Sequence, residues 1–427
     1  MYNRTRTNCV FPISEFREVK EKVLSWTQQF DTFCFLDNHG YEIAPHSVEC
    51  LLAAGKKRMI SLNTGNALDR LQQFIDEKKT WLFGHLGFDL KNEIEELSSS
   101  HTDRIGFPDL FFFEPEIVIR FNEKEMMIDA NNPEIIFEEI KSIKNSRRSE
   151  VNEKPDIRQQ ISKEEYVSII EKLRQHILRG DCYEINFCQE FFAENAGIDP
   201  VTVYKNLSKV SPNPFSALYR VNEKWLICAS PERYLKKNGN TILSQPIKGT
   251  SKRNFVDDTT SKLELYNSAK ERSENVMVVD LVRNDLAKIC KEGTVKVDEL
   301  YGIYSFPQVH QMISTVSGDL KENISFIEMI RATFPMGSMT GAPKRSVMQL
   351  IEQYEKTKRG IFSGALGYLD ADGNFDFNVV IRSIMYNAST HILSFQAGSG
   401  ITFYSDAEKE WEECLLKAEA IKKVLCE

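Results

Sequence analysis

The stretch FDFNVVIRSIMYNASTHILSFQAGSGITFY, Phe375 to Tyr404, holds two strand-like runs, FDFNVVIRSIMY and HILSFQAGSGITFY, parted only by Asn387 to Thr390. Such hairpin-like spacing favours antiparallel pairing. Two further strand-like runs, YEINFCQEFF (183–192) and WLICAS (225–230), alternate with helical stretches near 262–282, 343–356 and 405–425. The expected class is therefore α+β rather than a doubly wound parallel sheet.

Working outward, KSIKNSRRSEVNEKPDIRQQ (141–160) is dense in charge and nearly free of apolar residues, and it reads as a linker. It separates an N-terminal part, 1–140, from a larger part, 161–427. The N-terminal part includes FFFEPEIVIRF (111–121), whose apolar and β-branched content reads as a strand pair. The larger part opens on a helix with a capping box, Ser162 to Glu165, an apolar stripe of Tyr166, Ile170, Leu173 and Ile177, and a stop at Gly180.

Composition narrows the function classes. With 427 residues the chain exceeds the roughly 250–300 of one ordinary core, which favours several domains or one large multilayered unit. A net charge of -8 argues against nucleic acid or an anionic membrane as the main partner. Nine cysteines without a CxxC pair argue against a disulfide framework or a zinc site, and no apolar run approaches a membrane span. A cytoplasmic protein is expected.

In NSAKERSENVMVVDLVRND (267–285), read as a helix, Glu271 and Glu274 share a face with Met277, Val278 and Leu281. The last helix, expected to open on a Ser405 to Glu408 capping box, repeats the arrangement: Glu410, Glu413 and Lys417 lie beside Trp411, Leu415, Ala418 and Leu425. One such pair is ordinarily charged helix surface or an ion pair. Two pairs on apolar faces, with no thiol or imidazole at that spacing, suit an oxygen-loving ion such as Mg2+.

FPMGSMTGAPKRSVM (334–348), with Ser338 and Thr340, is a loop entering a helix near Pro343, a place where backbone N–H groups can meet an anion. Gly398 and Gly400 lie in a strand, where glycine lets a backbone approach a ligand. Arg382 interrupts a strand with a cation suited to a carboxylate, although an outward-facing arginine is the commoner case. These residues together describe a site for a small polyanionic molecule.

In chain order, GDCYEINF, SPERY, PIKGT, KERSENVMVVDLVRNDL, FPMGSMTGAPK, RGIFSGALGY, IRS, GSGI and SDAEKEWEECLLKA resemble the chorismate-utilising enzymes, the family of anthranilate, aminodeoxychorismate, isochorismate and salicylate synthases. GHLGFDLKNEIEEL and PDLFFFEPE extend the likeness more weakly before the linker. The resemblance implies a large four-layer α/β sandwich, with two antiparallel sheets face to face and helices outside. It also implies that Glu274 and Glu413 ligate Mg2+ bridging to a chorismate carboxylate, with Glu271 and Glu410 nearby or acting through water. Arg382, Gly398, Gly400, Ser338 and Thr340 fall at or beside substrate-contact positions, and Glu232 in SPERY at that of an acid/base glutamate.

Within the family, water-using members carry a lysine where this chain has Glu184, and anthranilate synthases resemble PIAGT where it has PIKGT. Lys248 then matches the proposed nucleophile of the aminodeoxychorismate branch, whose amine attacks C2 of chorismate before ammonia enters at C4. A free lysine of pKa about 10.4 is neutral in only roughly one molecule in 2,500 at pH 7, so desolvation or a cation is required, with Lys252 and Arg253 the candidates in sequence. Gln311, Phe362 and Glu184 depart from the anthranilate synthase pattern. FCFLDN (33–38) and NPFSALY (213–219) fall where relatives form a tryptophan pocket. None of the seven histidines is followed by x-Glu, as a cysteine-type glutaminase needs, so ammonia is expected from a separate glutamine amidotransferase subunit. The alternatives are anthranilate synthase component I and a noncatalytic chorismate-binding subunit.

Overall fold

The computed structural model describes residues 7–42, 48–144, 154–254, 256–307 and 309–426. Among these, a 12-stranded and a 10-stranded sheet form, and every pairing between their strands is antiparallel. Alternation along the strands divides the core. In Thr32–Asp37, Cys34 faces the layer between the sheets, while Phe33 and Phe35 face the helices outside. Between the sheets, Leu51, Ala217 and Leu226 face Phe83, Phe111 and Phe113. Tyr166, Leu173, Tyr204 and Trp411 cover the outer face of the larger sheet, and Leu71, Val282 and Ile330 cover that of the smaller one. This is the α+β four-layer sandwich.

The hairpin in the opening stretch forms, with Ser383–Asn387 paired to Ile392–Ile401. The run before it is not one strand. Phe375–Val379 belongs to the 10-stranded sheet and Ser383–Asn387 to the 12-stranded one, so the chain changes sheets at Val380 to Arg382. Arg382 turns it there, at φ 50°, a left-handed conformation uncommon for a non-glycine residue. FFFEPEIVIRF is corrected in the same sense. Leu110–Glu114 and Ile117–Phe121 lie in different sheets and do not pair, because Pro115 and Glu116 carry the chain across.

Strands from both sides of the charged stretch are neighbours in one sheet, for example Thr32–Asp37 beside Phe215–Val221. The stretch takes in the end of a helix at Ser142 and a short strand at Arg158–Gln159, and its residues 145–153 lie outside the described residues. Helix ends follow the sequence in one case and not in another. Ser162 accepts from the Glu165 N–H and Gly180 closes that helix at φ 84°. The last helix, Ala407–Cys426, is capped by Asp406, which accepts from the Lys409 N–H at 3.1 Å. Ser405 instead accepts from the Thr402 N–H, so the expected Ser405 to Glu408 box is absent.

Candidate active site

Lys248 lies in Ile247–Lys252, an edge strand of the 10-stranded sheet. Its pairing with Val309–Asp319 slips between Ile247 and Thr250, and Gly249 takes φ 100°. A bulge of this kind re-aims a side chain. The amine of Lys248 donates a short hydrogen bond to Oε1 of Glu184, the first residue of Glu184–Ala193 in the other sheet. Both side chains are largely buried, at 11% and 3% exposure. Gly400 makes the meeting sterically feasible: a Cβ there would run into the Lys248 amine and stand 2.8 Å from Glu184 Oε1. Asn275 holds the backbone, donating to the Lys248 carbonyl at 3.2 Å while accepting from Ser314 Oγ at 2.6 Å.

The cations expected beside Lys248 are elsewhere. Arg253 forms a two-pronged pair with Asp258, at 2.9 and 3.0 Å, and also donates to the Phe306 carbonyl. Carboxylates surround the amine instead. Burial opposes its charge, but Glu184, Glu274 and Glu413 outweigh burial and raise its pKa.

Ala269–Ile289 supplies Glu271 and Glu274, and Ala407–Cys426 supplies Glu410 and Glu413. The first helix begins two residues later than the sequence reading, because Ser268 separates it from Asp258–Asn267 and caps it through the Glu271 N–H. Glu274 faces inward with its side chain 12% exposed, and burial pushes its pKa up to about 7 despite Lys248 and Lys270. Burial raises Glu271 as well. Glu413 moves the other way, held down by Lys417 at 2.8 Å. Glu410 is buried. Lys270 feels all four: burial weakens its charge, while Glu274, Glu410, Glu271 and Glu413 more than offset that.

Among the described residues, no three of these glutamates bring oxygens within 4.8 Å of one another, a spacing reached only by Asp37, Glu49 and Cys50. Glu274 Oε1 and Glu410 Oε2 are nevertheless buried without a hydrogen-bond partner. An all-oxygen donor set with unsatisfied buried oxygens fits Mg2+.

Glu232 and Arg382 both stand where the chain passes from one sheet to the other. Glu232 lies between Lys224–Ser230 and Arg233–Asn238, and its carbonyl accepts from Val379 N–H at 3.0 Å. The Arg382 carbonyl accepts from Ala229 N–H at 3.2 Å, tying the two crossings together. Burial pushes Glu232 up to about 7 in spite of Lys248 and Arg382. Burial lowers the Arg382 pKa, with Glu232 pulling against it. A buried acid able to hold its proton near neutrality beside a partly buried guanidinium can serve proton transfer to a carboxylated substrate.

Ser338 and Thr340 are buried in the loop before Lys344–Tyr354, which Pro343 introduces as expected. The Ser338 carbonyl accepts from Asn186 Nδ2 at 3.2 Å. The Thr340 hydroxyl is engaged internally, donating to the Met336 carbonyl at 3.1 Å, and the Thr340 carbonyl receives the Asn186 N–H at 2.7 Å. Gly398 pairs with Cys188, and its carbonyl accepts from Lys417 at 3.0 Å. Gln311 is buried with its Oε1 unpartnered, and Phe362 is a buried core residue. FCFLDN and NPFSALY come together as paired strands whose Leu36, Asn38 and Phe215 line an open pocket with Tyr368.

Sequence reasoning missed the Glu184–Lys248 bond and the roles of Asn275 and Lys270. For Asn275 a signal existed: an amide on the apolar face of a helix, four residues after Glu271. Glu184 gave none, since its partner is 64 residues away.

Residues 27–423 match the family model for chorismate binding enzymes. The anthranilate synthase component I-like protein of Synechocystis is 33% identical, over 81% of this chain and 72% of that protein. The aminodeoxychorismate synthase component 1 of Escherichia coli is 30% identical, over 88% and 86%. Among solved structures, anthranilate synthase component I of Streptococcus pneumoniae superposes with a TM-score of 0.78 at 25% identity, covering 90% of this chain and 94% of that one.

Proposed function

This chain belongs to the chorismate-binding enzymes, and from that premise we propose that it is an aminodeoxychorismate synthase component I, converting chorismate and ammonia to 4-amino-4-deoxychorismate. The observation that carries this reading is Lys248. A bulge turns it out of an edge strand into the buried space between the sheets, among Glu184, Glu274 and Glu413. A merely solvated lysine needs no such placement.

Glu232 is the acid. Its raised pKa keeps a proton available near neutrality for the departing C4 hydroxyl, while the Lys248 amine bonds to C2. Ammonia then bonds to C4, and the C2–N bond breaks to return the electron pair to Lys248. Arg382 neutralises substrate carboxylate charge. Glu274 and Glu413, with Glu271 and Glu410 beside them, are the residues to hold Mg2+. When bound, that ion supplies positive charge opposite the substrate carboxylate. Gly400 keeps the neighbouring strand free of a side chain next to Glu184 and Lys248, Gly398 does the same beside Phe187 and Cys188, and Ser338 lies in the loop before Lys344–Tyr354. Ammonia comes from a separate glutamine amidotransferase.

Anthranilate synthase component I is the second reading, supported by the names of two of the relatives. Incubating the protein with chorismate, Mg2+ and ammonium salt separates the two. Aminodeoxychorismate supports the first reading, anthranilate with pyruvate the second, and no turnover a binding subunit. Lys248→Ala is expected to lower ammonia-dependent turnover at least about 100-fold. Unchanged formation of aminodeoxychorismate by that variant removes the covalent role.

A further inference from the structure

A nucleophilic lysine must shed a proton, and the structure surrounds this one with groups that keep it charged. Of the carboxylates near it, Glu184 alone among the described residues is hydrogen-bonded to the amine. Glu274 and Glu413 act on it from the two glutamate helices, and Lys248 in turn acts on Glu232 at the sheet crossing. The first two are assigned to the cation and the third to the leaving hydroxyl. Glu184 serves neither, and its second oxygen, Oε2, is buried and unpartnered. Its backbone is fixed on both sides, by the pairing of Glu184 with Ala342 and of its neighbours Ile185 and Asn186 with Ile401 and Gly400. Gly400 leaves a gap that any larger residue would fill, and the gap is occupied by this ion pair.

We infer that Glu184 is a positioning residue and proton acceptor for Lys248, orienting the amine toward the substrate and taking its proton as the new bond forms. The inference rests on the aminodeoxychorismate reading. A proton passes from Nζ to Glu184 Oε1, the freed electron pair forms the N–C2 bond, the C4–O bond breaks, and the Glu232 proton leaves with that oxygen as water. When ammonia bonds to C4, the C2–N bond breaks. Glu184 returns its proton to Lys248, and Glu232 takes the surplus proton from the new C4 ammonium.

Glu184→Gln keeps the size and one hydrogen bond but cannot accept the proton. With ammonium as donor, we expect kcat to fall at least about 30-fold and KM for chorismate to stay within about threefold. Without ammonium, the covalent adduct on Lys248, followed by peptide mass spectrometry, should form at least about 30-fold more slowly than in the wild type. Glu184→Asp, which keeps the carboxylate, should retain more of both rates than Glu184→Gln. Wild-type kcat and adduct rate in Glu184→Gln, or a loss confined to KM, overturns the inference, as does an Asp variant no better than Gln. The wild-type product separates the two failures. If the wild type makes aminodeoxychorismate and Glu184→Gln matches it, only the role of Glu184 falls. If the wild type makes anthranilate, both fall.

Discussion

The two glutamate helices carry the same spacing and opposite electrostatics. Glu271 and Glu274 lie in Ala269–Ile289, and Glu410 and Glu413 in Ala407–Cys426, each pair three residues apart. Each helix also has a lysine four residues from the second glutamate of its pair, but on different sides. Lys417 follows Glu413 and reaches it at 2.8 Å, whereas Lys270 precedes Glu274 and stops at 3.8 Å, beyond hydrogen-bond reach. Glutamate before lysine is the more favourable order on a helix. The outcome is a carboxylate drawn down at 413 and one pushed up to about 7 at 274, where burial prevails. A shared motif therefore does not mean equivalent carboxylates. One helix brings a charge already balanced, the other a charge awaiting a cation.

That difference predicts unequal losses. Glu274→Gln removes the carboxylate with no lysine of its own helix within hydrogen-bond reach and should reduce kcat/KM for chorismate on the order of 100-fold or more, with a matching loss of Mg2+ affinity by calorimetry. Glu413→Gln also removes a carboxylate proposed to hold the ion, but from a side chain 42% exposed and already shared with Lys417. Its loss should be smaller, about 10-fold. Equal losses, or a larger one at Glu413, break the comparison.

The sequence made much of this legible, through local signals. The hairpin of the opening stretch, the helix from Lys163 to Arg179 and both glutamate pairs each depend on residues a few positions apart. What stayed hidden depends on which sheet a strand joins. FDFNVVIRSIMY and FFFEPEIVIRF look continuous because both halves are apolar, yet each crosses between sheets. A crossing needs only a backbone turn, at Arg382 or at Pro115, and leaves no change of period to read. The site inherits that difficulty. Glu232 and Arg382 sit on crossings, and Lys248 meets Glu184 only because the sheets face one another. The expectation of Lys252 and Arg253 as neighbours of Lys248 failed for the same reason: closeness in sequence along a bulged strand says little about which side chains share its face.

Stability against pH sharpens the contrast. Glu232 and Glu274 both titrate near 7 in the folded protein against 4.5 for an ordinary glutamate. A raised carboxyl pKa means that the unfolded chain gives up the proton first. The stabilisation linked to protonation is therefore complete below about 4.5 and is lost as pH rises through about 7, on the order of 3 kcal/mol for each group. A cation on Glu274 offsets its share, because it favours the ionised form. The Mg2+-induced rise in melting temperature is thus expected to be at least about twofold larger at pH 8 than at pH 5.5. In Glu274→Gln that pH dependence of the rise should shrink. A rise independent of pH in the wild type shows that the ion does not engage a carboxylate of raised pKa.

The smallest effect belongs to the other helix. Lys417→Met deletes the ion pair with Glu413 and the bond to the Gly398 carbonyl. Both ion-pair partners keep more than a third of their side-chain surface in solvent, at 37% and 42%, so water already screens their attraction and can replace it. The methionine retains most of the aliphatic stem, leaving packing against the strand nearly intact. Unfolding in urea should shift by less than about 1 kcal/mol. The pKa of Glu413 should rise at the same time, since Lys417 is the principal group holding it down. A destabilisation above roughly 2 kcal/mol reveals a pair acting as a buried one. The two helices then differ less than their exposures indicate, and the cation on the C-terminal helix becomes a structural clamp rather than a local counter-charge.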